Sequence, residues 1–171
     1  SSAFSGCSSL VSVTLPAGLP SIGSPAFARC SPPPSATLRA PHPSTPRSRA
    51  FAGCSARPPV TPPATPTSTG DRAFFNCSAL SSVTFPAGLT TIGGYAFYGC
   101  SSLAHVTLPA TLTSIDHEAF ANCSSLPPVT VPTTSEIGDA AFDPPTTVLR
   151  LSPASMRAQA RAAEAAAREA E

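Results

Sequence analysis

Apolar and polar positions alternate along this chain in a pattern that returns about every 23 residues. In the best-preserved repeat the apolar positions are Phe97, Cys100, Leu103, Val106, Leu108, Leu112 and Ile115. Around the middle of that repeat the alternation has the period of two that is typical of a β-strand. We therefore expect Val106 and Leu108 to face a core. His105 and Thr107 should face outward, and Pro109 should end the strand.

The cysteines give the phase of the repeat through most of the chain. They stand 23 residues apart, with one interval of 24, at Cys7, Cys30, Cys54, Cys77, Cys100 and Cys123. A phenylalanine precedes each cysteine by three residues, and a threonine follows each by seven. A fixed period of this length is typical of a solenoid, in which each coil buries its apolar side against its neighbours. The sequence therefore predicts a repeat solenoid of six to seven coils, mainly β, with a parallel ladder of short strands.

The strands of each coil should be joined by short helical turns. The stretch "AFYGC" (96–100) is predicted to form such a turn, and "LTSI" (112–115) offers a second short extended piece across the coil. The residue before the cysteine alternates between glycine and asparagine at Gly6, Gly53, Asn76, Gly99 and Asn122, whereas Arg29 is the exception. Glycine and asparagine tolerate a left-handed backbone, so we expect that conformation at this position.

The repeat "AFxGCSSLxxVTLPxxLTSIG" resembles the BspA-like leucine-rich repeat family. The resemblance covers roughly residues 1–142 and is strongest in 1–28 and 73–142. It implies a leucine-rich repeat solenoid. Members of that family are typically surface or secreted proteins that mediate adhesion and protein binding, so the resemblance also implies an extracellular or cell-surface location.

The solenoid is predicted to span residues 1–151, but its middle is degenerate. In residues 31–72 several core positions of the repeat have lost their aliphatic side chains, at Arg57, Pro62, Pro66 and Thr69. Each lost side chain forgoes about 1.5–3 kcal/mol of burial, and each proline removes a ladder donor. We favour a continuous but distorted solenoid here because the phase is kept. The alternative is a proline-rich, polyproline II-like loop over 31–70.

Residues 152–171 form a separate segment of different composition. They are rich in alanine, which favours a helix. Ser152 can cap the helix, and Pro153 suits its first position. We expect a helical tail or linker.

Composition and charge exclude some classes of partner. Only 11% of residues are charged and the net charge is +1, which gives no reason to expect nucleic acid or an anionic membrane as a partner. No apolar stretch reaches the length of a membrane-spanning helix, so no membrane insertion is expected from this segment. The chain opens inside a repeat and shows no signal peptide, and it is expected to be a piece of a longer protein.

No pattern in the chain indicates catalysis, a metal or a cofactor. The cysteines lack the spacing of zinc ligands and are predicted to form a buried row of free thiols rather than disulfides. Asn76 and Asn122 begin glycosylation sequons, but both occupy the turn position, which explains them. His117 lies between Asp116 and Glu118, and three successive loop residues do not point at one centre. We therefore expect no enzyme.

The outward strand positions form the candidate binding surface. They are Ser12, Thr14, Thr37, Thr61, Ser82, Thr84, His105, Thr107 and Thr130. Together they predict a continuous, uncharged concave face for a protein ligand, as solenoids commonly have. A simpler explanation is that threonine favours strands and packs well on itself. The functional hypotheses are a protein-binding or adhesion module, a structural spacer in a longer repeat protein, and a scaffold for a domain outside this chain.

Overall fold

The structure, a computed structural model, describes residues 29, 52–53, 68–85 and 87–169. Eight short strands and one helix lie in this part of the chain. They are β1 (Ser68–Thr69), β2 (Ser82–Thr84), β3 (Thr91–Ile92), β4 (His105–Thr107), β5 (Ser114–Ile115), β6 (Val129–Pro132), β7 (Glu136–Ile137), β8 (Val148–Leu151) and α1 (Pro153–Glu169).

The strands stack in parallel from coil to coil, which confirms the predicted solenoid. One sheet has the order β1-β3-β5-β7, with Thr69 opposite Ile92 and Ile92 opposite Ile115. On the other side of the coil, β2 pairs with β4 and β6 pairs with β8. The register of β2 and β4 places Val83 opposite Val106, one sequence repeat later. The 23-residue period is thus the length of one turn of the solenoid.

The core of the described coils consists of rows of equivalent side chains, one from each coil, and many of these rows repeat one residue type. The phenylalanine row stacks face to face, with ring centroids 5.0 Å apart for Phe74–Phe97, 5.2 Å for Phe97–Phe120 and 5.3 Å for Phe120–Phe142. Leu103, Leu112 and Ile115 are almost completely buried, as the pattern predicted.

The strand alternation also has the predicted sense. Val106 packs against the core and Leu108 is buried, while His105 and Thr107 are exposed. β4 ends at Thr107, two residues before Pro109. One coil has too small an apolar face to be stable alone, so the stability of each coil depends on its neighbours.

The turns differ from a regular helix. In the "AFYGC" stretch the bonds are of the tight-turn type, such as Cys100 N–H to Phe97 O at 3.2 Å. The turn position before the cysteine is left-handed as predicted, with φ of 57° at Asn76, 72° at Gly99 and 58° at Asn122. Arg29, the exception in the sequence, adopts the same conformation with φ of 59°.

The turn ladder extends into the degenerate region. Gly53 N–H donates to Phe75 O at 2.6 Å, and Arg29 N–H donates to Ala52 O at 2.8 Å. These bonds support the continuous solenoid over the looped-out alternative at those turns; the rest of 31–67 lies outside the described residues. Thr69, one of the lost aliphatic positions, is buried, and its hydroxyl accepts a hydrogen bond from Gly93 N–H at 3.1 Å. The polar substitution is therefore accommodated by the next coil.

The strand ladder is interrupted between β4 and β6. In the preceding coil, the N–H groups of Ala104 and His105 both donate to Ser81 O, at 2.9 and 3.2 Å. The equivalent positions one repeat later are Pro127 and Pro128, which have no N–H to donate. In the described coils the outward face is therefore built on two separate strand pairs, whereas a continuous face was predicted.

The last coil leads directly into α1. Arg150 lies opposite Val131 in the ladder but is exposed. Its guanidinium donates a hydrogen bond to Ser135 O at 2.8 Å. Ser152 Oγ accepts from Ser155 N–H at 3.2 Å, which is the predicted N-cap. Of the helix side chains described, only Met156 is buried and Pro153 half-buried. The helix therefore extends into solvent after its first turn.

Candidate binding surface

Five of the predicted surface residues lie in the described region, and all point away from the core. Thr84, His105 and Thr107 are exposed, while Ser82 and Thr130 are half-buried. β2 and β4 place Ser82 beside His105 and Thr84 beside Thr107. Thr130 belongs to the separate pair β6–β8, beyond the proline interruption. The other predicted residues, Ser12, Thr14, Thr37 and Thr61, lie outside the described residues. We call the described five the hydroxyl face.

The hydroxyl face contains no carboxylate, lysine or arginine, and two of its hydroxyls are available for hydrogen bonds. Within the described residues, the hydroxyls of Thr84 and Thr107 make no hydrogen bond to the protein, so they can bond to water or to a partner. The face ends in an apolar residue, because Leu149 lies beside Thr130 and is 49% exposed. The predicted row of threonines therefore changes character at the last coil.

The described cysteines belong to the core. Cys77, Cys100 and Cys123 are buried, as predicted, and their thiols are not joined in disulfides. Cys123 Sγ donates to Phe97 O at 3.2 Å, and Cys100 Sγ donates to Phe74 O at 3.3 Å. Burial raises the pKa of Cys123 to about 12 and raises that of Cys100 still further. Neither thiol forms the thiolate needed for nucleophilic or metal chemistry at neutral pH.

Sequence reasoning missed a second surface, which we call the aromatic edge: Arg72, Phe75, Tyr95, Tyr98, His117 and Glu118. The guanidinium carbon of Arg72 lies 4.6 Å from the ring centroid of Tyr95. The ring of His117 meets Tyr95 edge-on, with centroids 4.8 Å apart. Phe75 and Tyr98 stack at 5.1 Å. The signal was available, since Tyr95 and Tyr98 are the only tyrosines in the chain.

Part of the aromatic edge has a left-handed backbone conformation. Arg72, Tyr95, Glu118 and Ala140 occupy equivalent places in successive coils, and all have φ between 49° and 56°. Left-handed conformations are costly for side chains other than glycine and asparagine, by about 1–2 kcal/mol each. Bonds between coils hold them, such as Tyr95 N–H to His117 O at 3.1 Å. Residue type gave no hint of this second left-handed row.

Hydrogen bonds within the edge perturb two of its ionisable groups. The Tyr95 hydroxyl donates to Glu118 Oε1 at 3.2 Å, and this bond raises the pKa of Tyr95. Asp116 Oδ1 and His117 Nδ1 lie 2.9 Å apart, and this contact lowers the pKa of Asp116. In the part of the chain that the structure describes, no cluster of three or more metal-ligating side chains is found. Nor does any helix there have the length and apolar character needed to cross a bilayer.

The repeat geometry agrees with the comparison with protein families. The model of the BspA type leucine-rich repeat region matches six copies, over residues 1–55 and 44–147. The chain belongs to this family. The match includes the degenerate middle, and it confirms the resemblance expected from the repeat pattern. Among proteins with curated functions, none matches the chain.

Two solved leucine-rich repeat structures are similar to this BspA-type chain. One, from Bacteroides ovatus, has 24% sequence identity and a TM-score of 0.57, over 82% of this chain and 45% of that one. The other, from T. pallidum, has 27% identity and a TM-score of 0.47, over 54% of this chain and 51% of that one. The chain therefore spans about half the length of both proteins. The B. ovatus likeness supports the leucine-rich repeat fold.

Proposed function

We propose that this chain is a non-catalytic protein-binding module that acts through the hydroxyl face, at a cell surface. The observation that carries the proposal is the exposed pair of strands β2 and β4, whose outward side chains Thr84, His105 and Thr107 include no carboxylate, lysine or arginine. Solenoids use extended strand faces of this kind to bind other proteins. The cell-surface location follows from what is typical of BspA-like proteins.

The chemistry of the face suits a partner that is itself polar and nearly flat. Threonine presents both a methyl group and a hydroxyl, so it can pack and hydrogen-bond at the same contact. Because the hydroxyls of Thr84 and Thr107 have no hydrogen-bond partner among the described residues, binding them breaks no hydrogen bond there. The absence of carboxylate, lysine and arginine side chains on β2 and β4 also lowers the desolvation cost of association.

A structural spacer is the second candidate function, and the helix α1 favours it. This helix is exposed beyond Met156 and extends the chain away from the last coil. A solvent-exposed, alanine-rich helix is a semi-rigid connector. In that case the solenoid would separate or present other parts of a longer protein, and its outward residues would be replaceable.

A pull-down with matched variants separates the two functions. The test variant is Thr84→Arg with Thr107→Arg, which places two bulky charges on the hydroxyl face. The control is Ser102→Arg with Ser125→Arg, since both serines are exposed in adjacent coils and make no side-chain hydrogen bond within the described residues. Circular dichroism first establishes that all three proteins have the same fold. Surface extracts from the source organism and from neighbouring cells provide the candidate partners.

The binding function predicts a defined protein that the parent and the serine control retain and the threonine variant loses. Purified partner should then bind the parent directly with measurable affinity. If the threonine variant captures the same proteins as the parent, or if the parent captures none, the hydroxyl face is not a binding site. The spacer function would then be the better explanation.

A further inference from the structure

The aromatic edge contains an internal example of arginine recognition. Arg72 extends from one coil over the ring of Tyr95 in the next, with its guanidinium carbon 4.6 Å from the centroid. A cation in this position is attracted by the negative face of the ring. Arginine is especially suited to this contact because its planar guanidinium is weakly hydrated and stacks on aromatic rings. The geometry shows that this ring accepts a guanidinium.

A carboxylate lies beside that ring without a cation to neutralise it. Glu118 accepts one hydrogen bond, from the Tyr95 hydroxyl at 3.2 Å, and is half-buried. Among the described residues, the only contact within 4.0 Å between a carboxylate and a basic side chain joins Asp116 to His117. Glu118 therefore has a second oxygen available for a cationic donor. A guanidinium that stacked near Tyr95 could donate to it directly.

The charge of the surrounding coils favours a basic partner. Residues 68–151 contain six acidic residues and two arginines, which gives a net charge of −4 (2 − 6), with the histidines neutral. Residues 1–67 contain five arginines and no acidic residue. The acidic character is thus concentrated in the coils that carry the aromatic edge, although the whole chain has a net charge of only +1. Complementary charge speeds association and selects partners.

We propose that the aromatic edge, centred on Tyr95 and Glu118, binds an arginine-bearing polypeptide segment that lacks acidic residues. The incoming guanidinium stacks against the ring of Tyr95 and donates hydrogen bonds to Glu118. Arg72 takes part as an internal competitor, because it already covers one face of Tyr95. Tyrosine and arginine, together with tryptophan, are enriched among the residues that dominate binding at protein interfaces. This surface lies half a repeat along the coil from Thr84, so the proposal is independent of the hydroxyl face.

Labelled peptides test the proposal directly by fluorescence anisotropy at low ionic strength. The probe is the peptide GSRSRSG with blocked ends, and GSKSKSG and GSQSQSG are its lysine and glutamine counterparts. The arginine peptide should bind at least about tenfold more tightly than the glutamine peptide, as expected for a charge-assisted contact. It should bind about threefold more tightly than the lysine peptide, since stacking on the ring favours the guanidinium.

Three variants locate the site. Glu118→Gln should weaken the arginine peptide about tenfold, whereas Glu136→Gln, an exposed residue with the same charge change, should have little effect. Tyr95→Asn keeps a residue that tolerates the left-handed backbone and should weaken binding about threefold. Arg72→Gln should strengthen binding about threefold, because it frees the ring. Circular dichroism confirms that each variant is folded.

Several results would overturn this assignment. Failure of the arginine peptide to bind better than the glutamine peptide would exclude a guanidinium site. Equal losses in Glu118→Gln and Glu136→Gln would reduce the effect to general charge attraction. Equal affinity for the arginine and lysine peptides would exclude stacking as a contribution. None of these outcomes bears on the hydroxyl face, which the threonine variants test separately.

Discussion

Phe97 is the residue at which the packing between coils can be tested most sharply. Its side chain is completely buried. It stacks on Phe74 at 5.0 Å and on Phe120 at 5.2 Å, and it meets Phe85 edge-on at 5.5 Å with an interplanar angle of 82°. Replacing a buried phenylalanine by alanine costs about 3–5 kcal/mol. Each aromatic pair contributes about 0.5–1.5 kcal/mol beyond burial. With three such pairs, Phe97→Ala should lower the free energy of unfolding by about 5 kcal/mol.

Phe142 provides the matched control because it ends the same row. It is half-buried and stacks on one neighbour, Phe120, at 5.3 Å. With one aromatic pair and partial burial, Phe142→Ala should lower the free energy of unfolding by about 2 kcal/mol. A third variant, Phe97→Leu, keeps an apolar side chain in the core but loses the stacking. It should cost about 1.5 kcal/mol and remain folded.

Urea unfolding followed by far-UV circular dichroism measures these differences. The urea concentration at the midpoint of unfolding should decrease, while the slope of the unfolding free energy against urea should stay unchanged. The full effect of Phe97→Ala is comparable to the lower range of domain stabilities, about 5 kcal/mol, so this variant can unfold without urea. In that case, the comparison of the unfolding free energies of Phe97→Leu and Phe142→Ala still tests the prediction. A stabilising role for the stacked row is refuted if Phe97→Ala lowers the free energy of unfolding no more than Phe142→Ala does, or if Phe97→Leu does not lower it.

Three further predictions concern other features of the coils. Cys123 should resist iodoacetamide in the native protein and react with it in urea, as measured by mass spectrometry. Its contribution to stability should be constant below about pH 9 and should fall as the pH rises towards about 12, because the thiol loses its proton first in the unfolded chain. Ala140→Gly should stabilise the protein by about 0.5–1 kcal/mol, because φ is 51° at Ala140. Ala110→Gly should not stabilise it, because φ is not positive at Ala110. Equal shifts of the urea midpoint in the two variants would contradict this. Pro127→Ala should restore a ladder donor, so hydrogen exchange should show protection of the new amide at position 127, and free exchange there would argue against the proline explanation.

Much of the fold could be predicted because the repeat writes each core position several times. The phase of the phenylalanines and cysteines indicated which side chains stack. The alternation of Val106 and Leu108 with polar neighbours indicated which side of the strand faces the core. Asn76 and Gly99 indicated a left-handed turn because only such residues adopt it at low cost. A feature that recurs in every coil, with a residue type suited to it, is readable from one sequence.

The candidate sites were less predictable for a physical reason. The hydroxyl face was found because Thr84 and Thr107 repeat, but its interruption depends on the missing N–H groups of Pro127 and Pro128, which stand in one coil. The aromatic edge depends on a left-handed backbone at Tyr95 and Glu118, residue types that give no sign of that conformation. Bonds between coils impose it, and those bonds involve backbone atoms common to all residues.

The two proposed surfaces differ in what a repeat can encode. A row that carries the same residue in each coil, such as Thr84 and Thr107, offers identical contacts at intervals of one strand spacing, about 4.8 Å. It can bind a partner strongly by repetition, but it cannot fix the position of that partner along the solenoid. The row of Arg72, Tyr95 and Glu118 changes in every coil, from a cation to a ring to a carboxylate. A partner that matches this order fits at one register only, so the varying row is the one that can give specificity.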